Sequence, residues 1–410
     1  IRRPPRSTQS RSSAASDVYK RQGLFKDNDT LYFGVEIPFR GKSMPVLYAL
    51  NKSDGAIKWQ FPDRTKEELF GAFKDLIQDD SGNFLAVMEV EQPALKGAKP
   101  EKKTLVYCID KSSGTQMWEA PCEIEGKLAS AVTKVKDKYY FIKQADFEGK
   151  KVTSIAGLAP DKGSIFWNFS LPEGDTIAEP PVFINNNVII VTTTGKVFYI
   201  ALPDNHEEIL KPGEKMAGGG RVIWQTNVGA SPAFPVTISE SRLYLITSKI
   251  TDRENIFVIN MVSLEDGGLR WSRDIHGVIK TPLVESGGYV IYGFAPAAPP
   301  GEKEVPSIKF EALSIVGEKL WENEKTGNLE STPLIIDDKV YFTASRMIEA
   351  SAAIDASSEG GEGTSASEPE KEYEIYAVDK RSGKDLWTHK SKYIVATELI
   401  PYEGNLIVGT

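Results

Sequence analysis

The chain has 410 residues, 40% of them hydrophobic and 10% aromatic, which is enough apolar mass for one large core or two ordinary ones. No run of 18 or more apolar residues occurs, so the sequence predicts no membrane-spanning helix. The formal net charge is −8, and without the first 22 residues it becomes −13, from 43 basic and 56 acidic side chains. Phosphate binding needs clustered positive charge, so this balance argues against nucleic acid as a partner.

Those first 22 residues, IRRPPRSTQSRSSAASDVYKRQ, resemble a translated sequencing adaptor and are set apart as a non-native, disordered segment. The natural N-terminus is then expected to lie outside this sequence. From residue 23 onward the chain reads as a single domain of short strands, with 34 Gly and 24 Pro in the whole sequence supplying turns. LFKDNDTLYFG (24–34) reads as a short strand, a polar turn and a second strand; ALNKSDGAIKW (49–59) follows as a hairpin. RTKEELFGAF (64–73) reads as a short helix between units. CIDKSSGTQMW (108–118) is the next hairpin and holds Cys108; the other cysteine is Cys122. In that hairpin Cys108 lies opposite residue 117 or 118, and Cys122 falls about 13 Å further along the partner strand at about 3.3 Å per residue. This is too far for a disulfide, and two packed or free thiols are expected.

The same two elements recur along the rest of the chain. Paired strands are read in SAVTKVKDKYYFIK (130–143), EPPVFINNNVIIVTT (179–193), SPAFPVTISESRLYLITS (231–248), TPLVESGGYVIYGF (281–294), TPLIIDDKVYFTAS (332–345) and TELIPYEGNLIVGT (397–410). Each hairpin between them carries a tryptophan, at positions 59, 118, 167, 224, 271, 321 and 387, separated by 59, 49, 57, 47, 50 and 66 residues. Four residues before every tryptophan stands a glycine: Gly55, Gly114, Gly163, Gly220, Gly267, Gly317 and Gly383 precede Trp59, Trp118, Trp167, Trp224, Trp271, Trp321 and Trp387. In DKRSG, Asp379 is placed to accept from turn amides, and Gly383 to take the left-handed conformation that closes the turn with a bulge. The spacing predicts that each tryptophan ends the second strand of its hairpin and docks one four-stranded unit against the next.

Four-stranded antiparallel units of roughly 50 residues in radial repetition are the signature of a β-propeller. Seven units are complete, and half of an eighth begins at 397. A seven-membered ring has no room for that half unit. The expected fold is therefore all-β, an eight-bladed β-propeller with the eighth blade truncated, and the sequence reads as a fragment cut at both ends. Within each unit the paired strands are A and B and the two strands of the tryptophan hairpin are C and D; the turns between A and B and between C and D share one face. Most long excursions, QPALKGAKPEKK (92–103), APAAPPGEKEVP (295–306) and 346–372, belong to the opposite face, where a binding surface is expected; an insertion at 204–219 breaks that rule. The Ser/Gly/Glu-rich 346–372 is expected to be disordered.

The motif order resembles the PQQ-like repeat family, also described as quinoprotein-dehydrogenase-like, whose blades carry a docking stretch like AVDKRSGKDLW (377–387). Ala377, Asp379, Ser382, Gly383 and Trp387 match best, and the resemblance covers residues 24–410. Quinone-dependent dehydrogenases of that fold carry adjacent cysteines and a calcium-binding Glu/Asn/Asp set; this sequence has no Cys-Cys pair and no position that matches the calcium set. The resemblance is therefore nearest to non-enzymatic members such as the scaffold lipoprotein of outer-membrane barrel assembly. It implies a monomeric scaffold without cofactor or catalytic residue, an extracytoplasmic setting and protein partners in the cell envelope. A fragment of a quinone- and calcium-dependent dehydrogenase, or the sensor domain of a membrane kinase, is the alternative. His206, His276 and His389 have no metal-ligand spacing, and Asp252 and Glu285 are not separable from solvated loop carboxylates.

Overall fold

The computed structural model describes residues 24–63, 69–92, 101–147, 150–161, 163–203, 221–250, 255–297, 306–348, 370–391, 399–402 and 405–407. The adaptor-like segment, the 204–219 insertion, Gly220, His206 and Asp252 fall outside them. All regular structure among the described residues is β-strand.

The strands form successive antiparallel meanders in which A pairs with B, B with C and C with D. The first sheet holds Leu24–Lys26, Thr30–Phe39, Lys42–Asn51 and Ile57–Phe61. The second holds Gly71–Gln78, Phe84–Gln92, Glu101–Ile109 and Cys122–Ile124; the third Thr133–Val135, Lys138–Phe147, Lys150–Ala159 and Ser164–Ser170. The fourth holds Val182–Ile184, Asn187–Val191, Lys196–Ala201 and Arg221–Asn227; the fifth Thr237–Ser239, Arg242–Ile250, Asn255–Ser263 and Leu269–Ile275. The sixth holds Val284–Ser286, Tyr289–Pro296, Ser307–Ser314 and Lys319–Thr326; the seventh Leu334–Ile336, Lys339–Ile348, Glu370–Asp379 and Asp385–Ser391. A last pair joins Ile400–Tyr402 to Asn405–Ile407. These all-β meanders are the blades of a β-propeller fold.

The chain divides into two compact units, residues 1–225 and 226–410. Within each, neighbouring sheets pack face to face, and the strand period of two assigns each side chain to one interface. In Phe84–Gln92, Phe84, Ala86, Met88 and Val90 pack against the first sheet, whereas Leu85 and Val87 pack against the third. In Lys339–Ile348, Val340, Phe342 and Ala344 face the sixth sheet, and Tyr341 packs with Leu399, just before the last pair. Burial on both faces explains why such inner strands read as continuous apolar runs rather than as alternating ones.

Three expectations are corrected. The helix expected over 64–73 fails at its end, because Gly71–Gln78 is a strand; residues 64–68 lie outside the described ones. Burial of Phe73 and Leu76 between the first two sheets overrides the local helical preference of this segment. The stretch 346–372 is ordered at both edges, where Arg346 pairs with Glu372 and extends the central hairpin of the seventh sheet; residues 349–369 lie outside the described ones. The tryptophan does not end strand D. Trp387 is the third residue of Asp385–Ser391, and Trp118 precedes the short strand Cys122–Ile124 altogether.

The hairpins have the turn chemistry that their motif requires. Asp379 Oδ1 accepts from the Ser382 amide at 2.8 Å, the Gly383 amide donates to the Asp379 carbonyl at 2.8 Å, and Gly383 has φ of 68°. The strand register shifts by one residue between Ala377 and Val378, the bulge that such a turn produces. The bare glycine then receives the indole of the preceding sheet. A Cβ built on Gly114 would lie 2.5 Å from Cδ2 of Trp59, one on Gly163 2.6 Å from Trp118, one on Gly317 2.8 Å from Trp271 and one on Gly383 2.6 Å from Trp321. Each of these four indoles also donates Nε1–H to a carbonyl of the turn it meets: Trp59 to Lys111 at 3.1 Å, Trp118 to Pro160 at 2.8 Å, Trp271 to Ile315 at 2.9 Å and Trp321 to Lys380 at 2.7 Å.

The remaining positions differ. Nε1 of Trp167 is buried without a partner among the described residues, and the turn next in order falls within 204–220, outside them. Trp224 is buried with its ring 5.3 Å from that of Tyr199. Trp387 is 42% exposed. Gly55 has no atom within 4 Å of its would-be Cβ. Gly267, at φ of 71°, closes its turn through an amide bond of 2.9 Å to the Ser263 carbonyl.

A double-mutant cycle tests whether indole and glycine act as one joint. Trp321→Ala is expected to cost about 3–5 kcal/mol in urea denaturation, and Gly383→Ala about 1–3 kcal/mol from left-handed strain plus overpacking. With the indole removed, only the backbone part of the glycine cost remains, so the two effects should fall short of additivity by about 1–2 kcal/mol. Strict additivity would show that the two residues do not act through their contact.

Candidate functional site

Of the docking residues, Trp118 borders an acidic recess of the first unit. That recess lies where turns of the second and third sheets meet. Asp79 and Asp80 come from the A–B turn of the second sheet, Asp137 from the A–B turn of the third, and Asp161 from the third sheet's C–D turn. Together with Met117 and Trp118 they surround an opening of about 510 Å³ whose floor holds Cys108 and Tyr139. Asp79 is fixed by the Asn83 amide, which donates to its Oδ1 at 2.7 Å, and Lys134 pairs with Asp80. No group of three or more His, Cys, Asp or Glu side chains among the described residues is placed to hold a metal ion, the four aspartates included.

Tyr139 is the unusual member. Strand register places it one residue after the A–B turn, where the fourth to seventh sheets have Val188, Leu243, Val290 and Val340. It is 1% exposed, and its hydroxyl has no hydrogen-bond partner among the described residues. Burial first, and then the neighbouring Asp79 and Asp80, push its phenol well above the ordinary tyrosine range. The hydroxyl therefore stays protonated, able both to donate and to accept. Leaving such a group buried and unpaired costs about 1–3 kcal/mol, which the aliphatic residues at the equivalent positions avoid. A cationic group carrying N–H donors would satisfy both features of the recess, its carboxylates by charge and the hydroxyl by a hydrogen bond.

The other chemistry-bearing residues are dispersed. His276 lies just past the fifth sheet's last strand and His389 within the seventh sheet's last strand, both exposed. Glu285 lies in the first strand of the sixth sheet, Val284–Ser286, where its Oε1 accepts from the Gly288 amide at 3.1 Å and its Oε2 lies 3.6 Å from Arg242. Glu311 is buried between Arg273 at 3.1 Å, Lys319 at 3.3 Å and the Tyr292 hydroxyl at 2.5 Å, a closed network. Asp175 is buried as well; burial works to raise its pKa, but hydrogen bonds from Lys196 and Thr194 outweigh it and hold the carboxyl below its usual range. The residues of the recess were not singled out from the sequence. The visible signals were Asp79 and Asp80 as neighbours at a turn tip and Tyr139 at a position otherwise held by aliphatic residues.

No family model and no curated protein matches the chain. Among solved structures it is similar to BamB from Moraxella catarrhalis, at 15% identity over 94% of this chain and 90% of that one, with a TM-score of 0.43. It is also similar to Chaetomium thermophilum Sqt1, solved bound to the N-terminus of ribosomal protein L10, at 10% identity over 88% and 84% with a TM-score of 0.36. A prolyl endopeptidase matches at 13% identity over 93% of this chain and 52% of its own length, with a TM-score of 0.36. These likenesses are weak, and the fold assignment rests on the sheets themselves.

Cys108 and Cys122 are free and buried. The expected separation is corrected: the partner strand is interrupted and Cys122 pairs with Val106, two residues from Cys108, so both thiols pack in one cluster between the second and third sheets. Burial pushes both thiols up to about 11, with Asp79 and Asp110 adding to the effect at Cys108, while at Cys122 the nearby Lys143 partly offsets it. At pH 8 the thiolate fraction of the folded chain should then be roughly a hundredfold below that of an ordinary cysteine. A colourimetric disulfide reagent is expected to label neither thiol rapidly in buffer and both within the mixing time in denaturant. Fast labelling of the folded protein would contradict this environment.

Proposed function

We propose that the chain is a non-catalytic β-propeller scaffold of the bacterial cell envelope that holds a protein partner through a basic segment seated in the acidic recess. The observation that carries this reading is the buried, unpartnered hydroxyl of Tyr139 beneath Asp79, Asp80, Asp137 and Asp161. Carboxylates on turns of two sheets offer charge steering to a lysine- or arginine-bearing segment, and the tyrosine offers a fixed hydrogen-bonding point. Membership of the PQQ-like repeat family, an extracytoplasmic location and an eight-bladed ring belong to the same proposal, supported by the seven-fold Gly-x-x-x-Trp spacing. The fourteen glycines and tryptophans then serve blade docking, for which the four indole–glycine joints are the support. The long loops that drew attention in the sequence lie mostly outside the described residues, and this reading does not depend on them.

The test places a photo-crosslinking amino acid at Met117, which is 53% exposed on the rim of the recess. In cells of the source organism, irradiation should give a discrete protein adduct in the envelope fraction. The same experiment in an Asp80→Asn, Asp137→Asn, Asp161→Asn background should reduce that adduct by about tenfold or more, since rim and recess charges set encounter and retention. The absence of any adduct, or one undiminished in the neutralised background, would overturn the recess as the binding surface. An adduct found only in the cytosolic fraction would overturn the envelope setting.

A further inference from the structure

A second recess lies between the third and fourth sheets, away from the acidic turns, and it centres on Glu179. Its structural equivalents are fixed by backbone bonds. The amide of Ala178 donates to the Val191 carbonyl, as Ala129 does to Ile142, Lys280 to Gly293 and Glu330 to Thr343. The same bond runs from Ala233 to Ile246 in the fifth sheet; the residue that follows is Glu179 in the fourth sheet, Phe234 in the fifth, and Ser130, Thr281 and Ser331 in the third, sixth and seventh. In those three sheets the hydroxyl is consumed locally. It accepts the amide of Ile142 at 2.9 Å, of Gly293 at 3.3 Å and of Thr343 at 3.0 Å.

Glutamate cannot substitute quietly for that hydroxyl, because its longer stem carries the carboxylate past the neighbouring strand. Glu179 is half-buried, and its Oε2 is buried with no hydrogen-bond partner among the described residues. The cavity beside it has a volume of about 140 Å³. Its walls are chiefly apolar, from Ala129, Ala131, Ile142, Ile177, Pro180 and Pro181, and Glu179 is the only charged residue among those lining it. Burial alone raises the carboxyl pKa above the usual glutamate range. A carboxylate oxygen buried without a counter-charge is costly to maintain and has no role in the repeat.

We propose that this cavity binds a primary ammonium group carried on a short aliphatic stem. The methylenes would lie against the apolar walls, and the ammonium would donate to Glu179 in a charge-assisted hydrogen bond. The size is appropriate, since a cavity of roughly 150 Å³ accommodates a molecule as large as benzene. A single carboxylate is too few oxygen ligands for calcium, which takes about 6–8. A planar guanidinium pairs best with both carboxylate oxygens at once, whereas a compact ammonium needs only the one buried oxygen, Oε2. The source is either a free alkylamine or the tip of a lysine side chain, which present the same chemistry to the cavity. This site stands independently of the acidic recess.

The probe is n-butylammonium, followed by saturation-transfer NMR on the intact chain. So small a ligand should show saturable binding with Kd on the order of millimolar. Glu179→Gln should weaken it at least about tenfold, the loss expected when a charge-assisted bond becomes neutral. Glu179→Ser, which restores the residue type of the sister sheets, should abolish binding while leaving thermal unfolding unimpaired. The Asp80→Asn, Asp137→Asn, Asp161→Asn variant should bind as the parent does, which separates this cavity from the acidic recess. Binding of Nα-acetyl-lysine methylamide as well would assign a polypeptide lysine as a source; binding of the free amine alone would assign a small metabolite. The proposal is overturned if n-butanol binds equally well, if propylguanidinium binds more tightly, if Glu179→Gln retains full affinity, or if no saturation occurs below about 100 mM.

Discussion

An indole laid on a bare glycine, with its N–H tied to a carbonyl of the same turn, is the contact on which the packing of neighbouring blades depends. The first unit has two such joints, Trp59 on Gly114 and Trp118 on Gly163, and the second has two, Trp271 on Gly317 and Trp321 on Gly383. The spacing of four residues between glycine and tryptophan acquires a physical meaning here. The glycine is a socket that faces the preceding sheet, and the tryptophan that follows it is the plug for the next sheet. Gly114 receives Trp59, and Trp118, four residues later, is delivered to Gly163. The absence of a side chain is required twice at the same residue, once for the left-handed turn and once for the approach of the ring.

This relay also explains why the β-meander was legible. A glycine and a tryptophan that must each satisfy two constraints recur at fixed spacing, and strands buried on both faces are recorded as uninterrupted apolar runs such as FLAVM (84–88). The mistaken helix at 64–73 arose where no such constraint is visible locally. Phe73 belongs to a strand because it packs over Gly34, a contact between residues 39 positions apart. Strand D extends past the tryptophan for a related reason: Ile275 and Phe169, each beyond its own tryptophan, pack at the interface with the next sheet.

The candidate sites were much less legible. Asp79, Asp80, Asp137 and Asp161 sit on turns, where carboxylates are ordinary, and their shared recess exists only because two sheets bring three turns together. Glu179 reads in sequence as one more charge before a proline pair. Its meaning depends on knowing that Ser130, Thr281 and Ser331 occupy the same place and spend their hydroxyls on backbone amides.

A repeat protein contains its own control experiments, because each sheet shows what a position needs for folding alone. Where Val188, Leu243, Val290 and Val340 suffice, the hydroxyl of Tyr139 adds nothing to packing and leaves a buried polar atom unpaired. Where a short hydroxyl closes a hydrogen bond in three sheets, Glu179 leaves one carboxylate oxygen, Oε2, buried without a partner among the described residues. Each departure costs stability on the order of 1–3 kcal/mol by the desolvation of an unsatisfied group. Both departures border a recess, and both occur at the interfaces of the third sheet with its neighbours. The indole–glycine joints supply cohesion that does not depend on either position, so these substitutions are tolerated by the fold without being required by it. In such an architecture, function is to be sought where a blade departs from what most of its sister blades have at the same position, as Tyr139 of the third sheet and Glu179 of the fourth do on the two sides of the third sheet.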